Sequence, residues 1–167
     1  GSNLVGGTIA HNSVIVDMRK MNKVISFDAS KKTVIVESGI TIKELNEKLR
    51  QAHLEFPIYF NLLSTIGGMT ASNTLGEKSI RYGMMKNMID DIEFINGKAE
   101  VIKVGRADLA EACGMEGTTG IITKVKLRLI RKADTSLSIL QTDSLDEILS
   151  VSRTLKNDPE VVSLKFF

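Results

Sequence analysis

The chain has 167 residues, 43% of them hydrophobic and 25% charged, the balance of an ordinary globular protein long enough to bury a core. Lys and Arg number 22 against 20 Asp and Glu, a net charge of +2, so nothing electrostatic points to nucleic acid or an anionic membrane as partner. A single cysteine, Cys113, excludes an internal disulfide and suits a cytoplasmic setting, peripheral to a membrane only through a partner. No run of about 18 apolar residues is present to span a bilayer.

In chain order, Gly6-Gly7-Thr8 ends a first glycine-bearing loop. Val14-Ile15-Val16 reads as a short buried strand, with Asp17 at its end. Residues 24–27 and 33–37 read as a hairpin around the polar turn Asp28-Ala29-Ser30-Lys31-Lys32. Thr41 with Glu44 three residues on is a capping box, and Ile42, Leu45 and Leu49 form one apolar helical face. That helix ends near His53, before Phe56-Pro57. Residues 61–83 then carry no amphipathic period. Their hydroxyls and the pair Gly67-Gly68 read as a second loop, where free amides face an anion at close range.

Residues 89–95 and 100–104 read as a second hairpin, turned at Asn96-Gly97. A short helix is expected over 106–113, and residues 114–120 (GMEGTTG) form a third special loop. From 121 to 130 the pattern alternates, with Val125, Leu127 and Leu129 inward and Lys124, Lys126 and Arg128 outward on a solvated face. After Lys132 the character changes. A strand at 137–140, a helix opened by Ser144 with Glu147, carrying Leu145, Ile148, Leu149 and Leu155 inward, and a strand at 161–167 predict a β-α-β unit.

Conventional catalytic constellations are missing. His11, His53 and Cys113 have no metal-ligand spacing. Cys113 follows an apolar helix and reads as a small core residue. Ser64 lacks a nucleophile elbow. Asp90-Asp91 on one strand should point to opposite faces. No G-x-G-x-x-G follows a strand and there is no P-loop. What is left is three loops of glycines, hydroxyls and amides, suited to a large polar phosphate-bearing ligand.

Those loops carry a resemblance. Gly1-Ser2-Asn3-Leu4-Val5-Gly6-Gly7, Val36-Glu37-Ser38-Gly39, Thr65-Ile66-Gly67-Gly68 with Asn73, Gly76 and Arg81-Tyr82-Gly83, and Glu116-Gly117-Thr118 with Gly120-Ile121-Ile122-Thr123 occur in an order similar to the FAD-binding domain of the vanillyl-alcohol oxidase / p-cresol methylhydroxylase superfamily. Within it, the chain most resembles the glycolate oxidase / D-lactate dehydrogenase group. The resemblance implies an α+β fold of the PCMH type, an antiparallel sheet with flanking helices. An FAD-binding domain would cover residues 1–132, lacking its N-terminal subdomain, and the start of an α+β substrate cap would cover 133–167.

It further implies noncovalent FAD, since the His of covalent members would sit in the first loop and His11 lies past it. Ser2, Asn3, Leu4 and Gly6 would end the pyrophosphate loop. Thr65, Gly67, Gly68, Thr70, Asn73, Thr74, Gly76, Tyr82 and Gly83 would line the diphosphate, ribityl and ring region. Glu116, Gly117 and Ile122 would lie near the adenosine or the ring edge. The implied activity is oxidation of a small hydroxy acid, with catalytic groups in the cap and beyond. The same loops suit a sugar-alcohol oxidase, an alkylglycerone-phosphate synthase, or a non-catalytic flavin module completed by a partner chain. Phe166-Phe167, ending what reads as an edge strand, lead us to expect a homodimer or a partner subunit.

Overall fold

The computed structural model describes residue 6 and residues 8–165. The first hairpin forms as expected from β1 (Val24–Asp28) and β2 (Thr33–Glu37). Its turn is organised by Asp28, whose Oδ1 accepts from Ser30 Oγ at 2.7 Å and Lys31 N at 2.9 Å. Helix α1 (Ile42–Leu49) starts at Thr41. Thr41 Oγ1 accepts from Glu44 N at 3.2 Å, and Thr41 N donates to Glu44 Oε2 at 2.9 Å. Ile42, Leu45 and Leu49 are buried, and a single turn over Arg50–Ala52 ends with His53 in the left-handed region at φ 52°. Strand β3 (Leu54–Glu55) follows, and the Asn46 side chain steadies its exit by accepting from Phe56 N at 2.8 Å.

Within residues 61–83 lie two short helices, α2 (Ile66–Ala71) and α3 (Ser79–Tyr82). The second hairpin is β4 (Ile89–Asn96) and β5 (Val101–Gly105). Its left-handed residue is Ala99, at φ 61°, and not Gly97, so the turn is longer than an Asn-Gly type I′ turn. In place of a helix over 106–113 there is one turn, Leu109–Glu111, which the Asp108 side chain does not cap. Strand β6 (Gly120–Arg128) runs on to β7 (Ile130–Arg131), which pairs with β3. Helix α4 (Leu145–Leu155) is capped by Ser144.

The main sheet is antiparallel, in the order β1-β2-β6-β4-β5. Val34, Val36, Ile89, Ile92, Phe94, Ile122, Val125 and Leu127 join Ile42, Leu45, Ile66 and Met69 of the helices in one core. The other face of the sheet is charged and paired across strands. Lys124 meets Glu93 at 2.8 Å, Lys126 meets Asp91 at 3.6 Å and Arg128 meets Asp90 at 3.5 Å. The basic stripe read from β6 is thus largely neutralised by β4.

Four expectations are corrected. Residues 14–16 are not a strand, and Val14 is 91% exposed; Asp17 caps the turn Met18–Lys20, accepting from Arg19 N at 2.9 Å. Asp90 and Asp91 do not point to opposite faces. The register shifts between Ile89 and Asp91, a bulge at Asp90, and both carboxylates meet cations of the outer face. Residues 137–140 and the described 161–165 carry no strand, and α4 buries no residue. The cap of α4 is not a full box, because Glu147 Oε2 accepts from Thr142 Oγ1 instead. Phe166 and Phe167 lie outside the described residues.

Candidate functional site

Gly67-Gly68 is not a loop. Both glycines lie in α2, although glycine weakens a helix by about 1 kcal/mol relative to Ala. Packing explains their presence. The 38–40 segment continuing β2 runs beside α2: Ile66 N donates to Ile40 O at 2.9 Å and Gly67 N to Ser38 O at 2.7 Å. On its other side Ser38 N donates to Thr123 O of β6 at 2.9 Å. A Cβ on Gly67 would stand 2.6 Å from Ser38 Cβ. The first amides of α2 therefore hold the fold together and are not free for an anion, contrary to the expectation. Gly68 N is bonded to the capping Thr65 Oγ1, at 3.3 Å. Gly68 itself is exposed.

The other end of α2 carries the third loop. Thr70 O accepts from Asn73 N at 3.1 Å and Gly114 N at 3.0 Å, and Ala71 O accepts from Glu116 N at 2.9 Å. Asn73, left-handed at φ 46°, accepts at Oδ1 from Lys86 N at 3.0 Å and from Cys113 Sγ at 3.7 Å. The second and third loops are thereby one structural unit. Burial pushes the Cys113 thiol up to about 11, so it is an inert packing group at neutral pH.

The rest of the wall is anchored to the 55–59 segment. Gly76 lies against Tyr59, where a Cβ would sit 2.6 Å from the Tyr59 amide. Glu77 N donates to Tyr59 O at 3.1 Å. Lys78 Nζ meets Glu55 Oε1 at 2.6 Å, with the two side chains 18% and 12% exposed. Gly83 has φ +76°, and a Cβ there would be 2.4 Å from Asn87 Oδ1, the atom that accepts from Met84 N at 2.8 Å.

Of the residues singled out in the sequence, Thr65, Gly68, Asn73, Thr74, Gly76, Tyr82, Gly83, Glu116 and Gly117 lie at or near the surface of this unit. Gly67 and Thr70 are buried within it; Thr70 Oγ1 donates to Ile66 O at 2.8 Å. Ile122 has its side chain in the core. Gly6, at φ +73°, accepts from Ile9 N within its own turn, and Ser2, Asn3 and Leu4 lie outside the described residues. Among the described residues no hydrogen bond joins the first loop to the other two. Sequence reasoning missed Ser38, Asn46, Asn87 and the Glu55–Lys78 pair. Each acts through partners distant in the chain or through ordinary local polar contacts, and only the V-E-S-G run hinted at Ser38.

The wall has a defined chemistry. Residues 61–76 include no charged side chain. Exposed Phe60, Leu63 and Leu75 flank glycines and hydroxyls. Gly117, at φ +80°, has nothing within 4 Å of its Cβ position. Such a surface suits a ligand held by shape and by hydrogen bonds to hydroxyls, with few ion pairs. Among the described residues no group of His, Cys, Asp and Glu could hold a metal ion, and no helix is long and apolar enough to cross a membrane.

An antiparallel sheet with one charged face and one helix-covered face is the architecture of the PCMH-type flavin-binding class, which solved structures share with this chain. The FAD binding domain family matches residues 1–105, and the chain belongs to it. The chain is 25% identical to a D-2-hydroxyglutarate dehydrogenase of Stutzerimonas stutzeri over 95% of its own length and 37% of that protein's. It is 33% identical to a mitochondrial cytochrome-type D-lactate dehydrogenase of Arabidopsis thaliana, over 77% of this chain and 24% of that one. A solved alkyldihydroxyacetonephosphate synthase structure superposes with a TM-score of 0.69 at 28% identity, covering 78% of this chain and 26% of the other. The chain thus spans well under half the length of these relatives. FAD is the cofactor, and the charge-free run 61–76 with the exposed Gly68 and Gly117 fits it.

Proposed function

We propose that this chain is the flavin-holding part of an oxidoreductase acting on a 2-hydroxy acid of the D-lactate, D-2-hydroxyglutarate or glycolate type. The observation that carries the reading is the union of α2 with the third loop, which sets the glycines and hydroxyls of both stretches in one structural unit. The dehydrogenase relatives support the substrate class. FAD, when bound, supplies the two-electron acceptor. Thr65, Gly68, Thr74, Tyr82 and Gly117 of this chain would contact it, noncovalently. Gly67, Thr70, Asn73 and Gly76 would hold those residues in place. Residues 1–132 form the flavin domain in this reading and 133–167 begin the substrate domain, in a cytoplasmic protein.

The test is a titration of FAD followed by quenching of flavin fluorescence, with and without Gly68→Ala. Saturable quenching that the variant weakens is expected, with all flavin released on acid denaturation. Absence of saturable quenching would overturn the reading. Turnover is then assayed with D-lactate, D-2-hydroxyglutarate and glycolate against an artificial electron acceptor. The structural likeness to an alkyldihydroxyacetonephosphate synthase favours a second reading, an ether-lipid-forming flavoenzyme. FAD binding with alkyldihydroxyacetonephosphate formation and no hydroxy-acid oxidation would select it.

A further inference from the structure

At the end of β6 remote from the third loop, roughly 25 Å along the strand, lies an open cleft of about 480 Å³. Its walls are the β1–β2 turn, the turn after α1, and β7 with the residue that follows it. They bring together Lys32, His53, Arg131 and Lys132. Backbone bonds hold the walls: Leu129 N donates to Lys32 O at 2.7 Å, and Lys132 N to His53 O at 2.9 Å. Lys32 and His53 both sit in the left-handed region at φ 52°.

The charge at this cleft is unbalanced. On the outer sheet face every cation of β6 has a carboxylate partner on β4. Lys32, Arg131 and Lys132 have none among the described residues. Asp28 is engaged by Ser30 and Lys31 and Glu55 by Lys78, and no carboxylate lines the cleft. Three cationic residues thus line one concavity, and Arg and Lys donors suit a phosphate oxygen cluster. The volume is in the range of small-molecule sites.

We propose that this cleft binds a small phosphate-bearing molecule, separately from the flavin wall. The inference does not rest on the flavin reading, because no residue is shared between the two sites. The test uses the ¹⁵N-labelled full chain, titrated with inorganic phosphate at constant ionic strength and followed by amide chemical shifts. Saturating shifts at Lys32, His53, Leu54 and Lys132 are expected, with residues 61–83 unmoved. The double substitution Arg131→Gln/Lys132→Gln should weaken binding at least about tenfold, and Lys32→Gln, on a different wall, should weaken it as well. An undisturbed spectrum elsewhere shows that each variant is folded. Shifts that fail to saturate, that sodium chloride reproduces, or that survive these substitutions would overturn the proposal.

Discussion

Gly67 offers the sharpest test of how the wall is built. In Gly67→Ala the new methyl would lie 2.6 Å from Ser38 Cβ and 3.0 Å from Ser38 O, where carbon atoms prefer about 3.5–4 Å. Ser38 cannot retreat, since its amide is bound to Thr123 and its carbonyl to Gly67. Overpacking of this kind costs about 1–3 kcal/mol, and the helix-propensity gain of Ala returns about 1 kcal/mol. With the clash rigid on both sides, the upper half of the range applies, leaving a net loss of about 1–2 kcal/mol. For a chain of this size that lowers Tm by about 2–8 °C. Ser38→Gly removes the Cβ, together with a buried hydroxyl that has no hydrogen-bond partner. In that background the loss from Gly67→Ala should shrink by at least about 1 kcal/mol, a coupling read from a double-mutant cycle of urea midpoints. Gly68→Ala, on the exposed side of the same turn, meets only Thr65 Oγ1, at 3.1 Å, and should lower Tm less than Gly67→Ala. A loss from Gly67→Ala that is the same with and without Ser38→Gly, or no loss at all, would refute the reasoning.

Lys78→Met should destabilise by about 2–3 kcal/mol, somewhat below a fully buried pair because both ends keep some solvent; Glu55→Gln added to it should recover much of the loss in urea unfolding, and an additive double mutant would count against the pair. Glu93 is held below its ordinary value of 4.5, chiefly by the Lys124 hydrogen bond. Its stabilising contribution is therefore complete above that ordinary value and lost as pH falls through the lower folded one. Glu93→Gln should flatten the fall of urea midpoint with acid, and an unchanged slope would exclude this source. Cys113, its thiol raised to about 11, should react slowly with a maleimide at mildly alkaline pH in the native protein and quickly in urea; native labelling at the rate of a free thiol would contradict its burial.

Much of the fold was legible because its signals are local. The Thr41–Glu44 box, the apolar spacing of α1, both hairpins and the alternation of β6 each depend on residues a few positions apart. The second and third glycine-bearing stretches were legible too, by composition. What they do was not. A Gly-Gly pair looks like a loop, since its cost in a helix is a local quantity, yet here a segment far earlier in the chain presses on α2 and only glycine fits between them. The apolar run at 14–16 looked buried because hydrophobicity does not say whether a partner surface exists. The bulge at Asp90 shifted one carboxylate by a register step that no periodicity records. The Glu55–Lys78 pair and the cationic cleft between β1–β2 and β7 arise from residues far apart in the chain. Local chemistry thus decided α1, the two hairpins and β6, and the resemblance carried by the glycine-bearing stretches named the cofactor. The tertiary structure decided which backbone amides were already taken, which glycines are spacers, and where charge is left without a partner.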